Sequence, residues 1–238
     1  FDNYSLTYGA SVITAAMPPW YLALPESEKK KPAVRRKLSA EVSAVKTMLG
    51  IDYGDMRIAY ISPEHPEYEG RTVAELASAE GLSGFDMYVK LTELSNAQGR
   101  IYLGRYYSDE IVRTLMEDKL SVFMTDAWVE ETGAQNSAAF QCFPYFFVRA
   151  REYGIPPESV VRKMTGQTAD RFRIPERGYL RPGFFADVSV LDIDGMSVDL
   201  SVPASRPRGV KHVYVNGEHA VKDGEFCGLR CGRVLSKK

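Results

Sequence analysis

Near its C-terminal end this chain carries Asn216-Gly217 and Asp223-Gly224, each set between short runs that alternate apolar and polar residues. A two-residue connection between antiparallel strands needs left-handed backbone at both positions, and Asn-Gly and Asp-Gly adopt it at low cost. VYVNGEHAV therefore reads as a hairpin closed by a type I′ turn. FFADVSVLDID before it and GRVLS after it read as further short strands separated by glycines. The segment beyond Pro182 is thus expected to be all-β, a small β-sandwich over residues 181–238, with its boundary near residues 178–183.

Upstream the grammar is different. Residues 2–18 are apolar and dotted with Thr, Ser, Tyr and Gly, as in a buried strand running into a loop, and Pro18 and Pro19 end the run. Val34, Leu38, Val42, Val45 and Leu49 recur at helical spacing, with Gly50 as the stop. MRIAYIS follows as a strand. Thr72 with Glu75 forms a capping box before a helix reaching Glu80, and residues 85–95 form another helix. Residues 20–107 read together as a compact α+β insertion. Ser108 then caps the helix SDEIVRTLMEDK, which leads into the strand SVFMT, Asp126 and the polar loop WVEETGAQNS. An aromatic-rich helix covers residues 138–153, and Pro156 and Pro157 open another that ends in KMTGQTADRF. Helix, apolar strand and helix in series point to an α/β protein with parallel strands. The expected organisation is 1–19 strand and loop, 20–107 insertion, 108–180 last strand and its helices, and 181–238 β segment.

Composition narrows the function. With 238 residues and 45% hydrophobic content, the chain can bury one large core, or one core and a smaller one. Thirty basic residues against thirty-one acidic ones, with only short basic clusters at residues 29–31 and 35–37, give no support for nucleic-acid binding. No apolar run approaches the roughly 18 residues that span a bilayer, so no membrane role is expected. Three unevenly spaced cysteines, Cys142, Cys227 and Cys231, argue against a disulfide framework and for a reducing compartment, by default the cytoplasm. Phe1 stands in mid-pattern without an initiator Met, so further sequence is expected before it.

Asp126 is the residue most open to a chemical reading. It follows a strand expected to be buried on both faces, at the end where parallel α/β barrels build their sites, although an aspartate that caps the loop fits the same pattern. The histidines set a limit. A catalytic zinc site takes three or four ligands, yet His65, His212 and His219 include no His-x-His pair and read as surface or strand residues. Cys227 and Cys231 lack a second ligand pair, and Cys142 in AFQCFPYFF reads as a small hydrophobe. No G-x-S-x-G elbow, P-loop or G-x-G-x-x-G turn is present.

The motifs then converge. PGFFADVSVLD, GVKHVYVNGEHAVKDGE and GRVL resemble the closing segment of the amidohydrolase superfamily, in which a P-G-x-x-A-D run enters a small β-sandwich beside a (β/α)8 barrel. FDNYSLTYGASVITAAMPPW is similar to the D-x-Y-P-Y-T-x-G-S segment of the N-acyl-D-amino-acid deacylases. FMTDAWVEE resembles the stretch around that family's final-strand aspartate. The resemblance spans nearly the whole chain. It implies the C-terminal part of a metal-dependent (β/α)8 hydrolase with an α+β insertion, acting on a small N-acyl substrate through one or two zinc ions. Asp126 would then be both metal ligand and proton carrier, acting on a metal-activated water, and Tyr4 would lie at the substrate. The other metal ligands would lie upstream of residue 1, so the missing barrel part, or a second copy of the chain, is the expected partner.

Two departures bear on the substrate. Where the family carries an arginine for the substrate carboxylate, this sequence has Ala138, and where it has a pocket serine there is Ala10, with Ser11 beside it as a stand-in. Gln135 and Asn136 offer neutral hydrogen bonds to substrate, or simply loop polarity. Deacylation of an N-acyl-D-amino acid or related compound is the expected reaction. A cyclic-amide hydrolase of the hydantoinase or dihydroorotase kind, or a non-catalytic module binding through the aromatic helix around Phe140 and Phe147, are the alternatives.

Overall fold

The computed structural model describes residues 1–104 and 108–235. The expected end of the insertion, at residue 107, and the last three residues of the β segment lie outside that range. The chain divides into two compact units, the first made of Phe1–Ser5, Glu110–Trp128 and Asn136–Lys238, the second of Leu6–Asp109 and Val129–Gln135. Among the described residues no helix is long and apolar enough to cross a membrane.

The second unit is built on a three-stranded antiparallel sheet in which Arg100–Leu103 lies between Gly9–Val12 and Met56–Tyr60. Against it pack the helices Pro32–Leu49, Val73–Glu80 and Gly84–Leu94. The first of these follows the spacing of its apolar residues: Leu38 and Val42 are fully buried, and the helix stops at Gly50. The capping box forms as expected. Thr72 Oγ1 accepts the Glu75 N–H at 3.2 Å, and Glu75 Oε2 accepts the Thr72 N–H at 2.7 Å, satisfying two amides the helix cannot bond itself. Ile58, Met87, Leu91 and Ile101 complete an interior with no exposed surface to speak of.

That interior also holds phenols. Burial pushes Tyr21, Tyr53 and Tyr102 up to about 12, assisted at Tyr21 by the Glu93 carboxylate and at Tyr53 by Asp52. Burial also raises Tyr88, whose hydroxyl donates to the Ile13 carbonyl. A phenol whose folded pKa exceeds its unfolded value of 10.0 adds stability that is complete below pH 10 and vanishes as pH climbs to about 12. Alkaline unfolding and tyrosinate absorbance should therefore rise together across that interval. Phenols that all ionise near pH 10 while the helices stay intact would contradict this packing.

In the first unit a short parallel pair, Asp2–Asn3 with Val122–Phe123, sits beside the helices Ser137–Tyr153, Pro157–Met164 and Gly166–Phe172. The opening stretch is thus not one strand. It supplies Asp2–Asn3 to this pair and Gly9–Val12 to the other unit's sheet, because the chain turns at residues 4–8. The Phe123 ring stacks on Phe146 at 3.8 Å between centroids. At the entry to Val122–Phe123, the buried Lys163 ammonium donates to the Asp118 carbonyl and to Ser121 Oγ at 2.5 Å. Burial holds this lysine below its usual pKa, partly offset by Asp118.

The C-terminal part of this unit is a four-stranded antiparallel sheet, Val188–Leu191, Val210–Val215, Glu218–Lys222 and Glu225–Phe226 in that order. Both dipeptides close hairpins: Asn216 and Gly217 have φ of 52° and 85°, Asp223 and Gly224 of 52° and 82°. The motif residues Ala186 and Asp187 hold the first turn. Gly217 N–H donates to the Ala186 carbonyl at 2.9 Å and Asn216 N–H to Asp187 Oδ1 at 2.8 Å. Burial opposes ionisation of Asp187, but the Asn216 amide and the Arg177 guanidinium outweigh it and hold the carboxyl below its ordinary range. GRVLS does not form the expected strand: its described residues 232–235 have no regular structure, and Val234 is 99% exposed, so no sheet edge shelters them.

Candidate functional site

The strand Val122–Phe123 is held to residues 1–5 by main-chain bonds, from Val122 N–H to the Phe1 carbonyl and from Met124 N–H to the Asn3 carbonyl, both 2.9 Å. Cys142 extends the ladder from the aromatic helix. Its thiol donates to the Met124 carbonyl at 3.1 Å and lies 3.0 Å from Ser5 Oγ. Burial raises this thiol's pKa, so it is a packed, weakly reactive group, as expected from its sequence context.

Two residues beyond Met124, Asp126 has φ of 44°, left-handed backbone that few side chains other than Asn and Asp adopt readily. The residue is exposed. Its backbone turns the chain out of the strand and into the polar loop. Tyr4, by contrast, is 7% exposed, and Asn3 beside it is buried with no partner for its Nδ2 among the described residues.

Asn136 has a local role that an asparagine in front of a helical run already signals. Its Oδ1 accepts the Ala138 N–H at 3.0 Å and caps the helix Ser137–Tyr153. The other end of the same amide, Nδ2, is buried without a partner among the described residues. Ala138, where the related enzymes were expected to carry arginine, is buried in the first helical turn. Tyr4, Asp126 and Asn136 thus fall in the first unit.

Ser11 and Gln135 fall in the second. Ser11 is half-buried in the strand Gly9–Val12, opposite Ile101. The Gln135 amide is engaged at both ends within its own loop, accepting the Glu130 N–H at 2.9 Å and donating to the Glu130 carbonyl at 3.0 Å.

A metal finds no complete site in these residues. His65 pairs with Glu67 at 3.0 Å and stacks on Tyr68, while His212 and His219 face each other at 3.3 Å. Among the described residues no group of three His, Cys, Asp or Glu side chains could hold an ion. In the aromatic helix Phe146 and Phe147 are core residues, whereas Phe143 is 39% exposed. Gln141 in the same helix is fully buried, donating to the Asp199 carbonyl at 2.9 Å and accepting its N–H at 2.7 Å.

No protein-family model matches the sequence. Among characterised proteins, the chain is 32% identical over 176 residues to a D-aminoacylase of Alcaligenes xylosoxydans xylosoxydans, covering 72% of this chain and 35% of that protein. It is 29% identical over 187 residues to an N-acyl-D-glutamate deacylase of the same organism, covering 77% and 36%. The chain therefore spans about a third of the length of these relatives. Its fold superposes on a solved D-aminoacylase with a binuclear metal centre at a TM-score of 0.75 and 24% identity, over 99% of this chain and 42% of that one. The zinc-bound N-acyl-D-glutamate deacylase of Bordetella bronchiseptica, in complex with a phosphonate that mimics the tetrahedral intermediate, gives 0.62 at 21% identity. This is a mixed α/β chain with an amidohydrolase relative's fold. More narrowly, it is homologous to part of the D-aminoacylases and N-acyl-D-amino-acid deacylases.

Proposed function

We propose that this chain is the C-terminal part of a zinc-dependent amidohydrolase that removes the acyl group from an N-acyl-D-amino acid or a close relative of one. The observation that carries the reading is the 32% identity to a D-aminoacylase over 72% of the chain, which the fold accompanies. In this reading, residues 1–19 and 108–180 are the last barrel segments, residues 20–107 an insertion, and residues 181–238 part of a β-sandwich. One or two zinc ions would be held by ligands outside these residues, with Asp126 as this chain's contribution, and would activate the attacking water.

The chemistry assigned to the chain is proton transfer and orientation. Asp126 accepts the proton released as water adds to the amide carbonyl, then returns it to the departing amine, so one carboxylate serves as base and then as acid. Tyr4 orients the substrate near its carbonyl. With Ala138 in place of a guanidinium, the Asn136 Nδ2 is the donor offered to the substrate carboxylate, and its burial makes pairing with a ligand favourable.

The test is release of free amino acid by the full-length enzyme from paired N-acetyl-D- and N-acetyl-L-amino acids. Turnover of the D series that stops after chelation and returns with zinc is the expected result. Hydrolysis of hydantoins alone, or turnover indifferent to chelation, would overturn the reading.

A further inference from the structure

The loop that follows Asp126 is held from outside itself. Residues 129–135 pack within the second unit although Trp128 before them and Asn136 after them belong to the first. Arg100, in the middle strand of the three-stranded sheet, makes the main attachment. Its guanidinium donates to the Thr132 carbonyl, pairs with Glu130 Oε1 at 3.1 Å and lies 4.9 Å from the Tyr60 ring centroid. The side chain is only 11% exposed, so these bonds are little screened.

Three further contacts close the clamp. Tyr102, two residues along the same strand, donates its hydroxyl to the Gln135 carbonyl. Ala134 N–H donates to the Ala59 carbonyl at 3.1 Å. Gly133, with φ of 74°, passes so close that a β-carbon there would stand 2.6 Å from Tyr60 Cδ2 and 2.8 Å from Arg100 Nη2. Loops of this length usually lie loose on a surface. This one is fixed by a cation, a phenol and a close backbone approach.

We infer that Arg100 is a positioning residue: by clamping residues 129–135 it sets the path of the chain between Asp126 and Asn136 and so governs substrate affinity. The inference rests on the amidohydrolase reading. The planar guanidinium suits the task because it serves a carbonyl, a carboxylate and an aromatic face at once, which an ammonium does not. Arg100 acts through Thr132 and Glu130 of the loop, so its loss should alter how substrate is held more than how the proton is moved.

The experiment has two arms. In the 238-residue chain, amide hydrogen exchange at Glu130 and Ala134 is compared among the unsubstituted protein, Arg100→Gln and Tyr102→Phe. Faster exchange at these two amides by roughly tenfold in Arg100→Gln is expected, the loss of one charged hydrogen bond. A smaller rise is expected in Tyr102→Phe, with Ile101 unchanged as proof of folding. In the full-length enzyme Arg100→Gln should raise KM by about tenfold while kcat changes by less than about threefold, with Arg100→Lys recovering only part of the difference. Unchanged exchange in both variants would overturn the clamp. Raised exchange with unchanged KM, or a fall in kcat alone, would overturn the positioning role. An unsubstituted enzyme without amidase activity would instead sink the functional reading, and the exchange arm would still decide the clamp.

Discussion

Replacing Asp126 by Asn should lower kcat by about 1,000-fold, within the range that general acid–base groups supply. Asn is the informative substitution here. Asp126 sits at a φ of 44°, and Asn tolerates left-handed backbone as well as Asp does, so the carboxylate is removed without straining the turn. Ala would add a backbone cost of its own. Urea unfolding of Asp126→Asn should accordingly match that of the unsubstituted protein. If turnover survives at more than about a tenth of the original value, proton transfer belongs to another group.

The second large effect is on stability. Phe146 is fully buried and stacks on Phe123, which lies in the short parallel pair two residues before Thr125 and three before Asp126. Truncating it leaves a cavity beneath a strand with only two paired residues. Phe146→Ala should therefore cost about 3–5 kcal/mol, a large share of the roughly 5–15 kcal/mol that holds a domain together. The urea midpoint should fall with little change in slope. A loss below about 1 kcal/mol would show that neighbouring side chains refill the space.

What the sequence disclosed was local. Thr72 with Glu75, the spacing from Val34 to Leu49, and the two hairpin dipeptides each encode their structure within a few residues, and each forms as expected. The opening stretch failed for the opposite reason: its apolar pattern has no mark at the point where the chain leaves one sheet for another. GRVLS alternates well enough, but alternation makes a strand only where a neighbouring edge is free to pair with it.

The candidate site divides in the same way. Asp126 was singled out because a strand-end carboxylate has a recognisable setting, and the structure places it just past Val122–Phe123; Asn136 carried a cap signal that competes with its reading as a substrate contact. Arg100, Gln141 and Lys163 were not singled out. Each acts on main-chain atoms tens of residues away, through partners such as Thr132, Asp199 and Asp118, and such contacts leave no period in a sequence.

The route of the chain has one more consequence. It leaves the first unit at Leu6, returns at Glu110, departs again for Val129–Gln135 and comes back at Asn136. Neither unit is a continuous stretch of polypeptide, so no single cut separates them. A fragment ending at Asp109 would carry the three-stranded sheet with Arg100 and Tyr102 bereft of the carbonyls they bind. Loop closure across such distances is slow to find, since its entropy is lost before the contact is gained. The clamp should therefore set late in folding, making the segment between Asp126 and Asn136 one of the last parts of the molecule to take its native course.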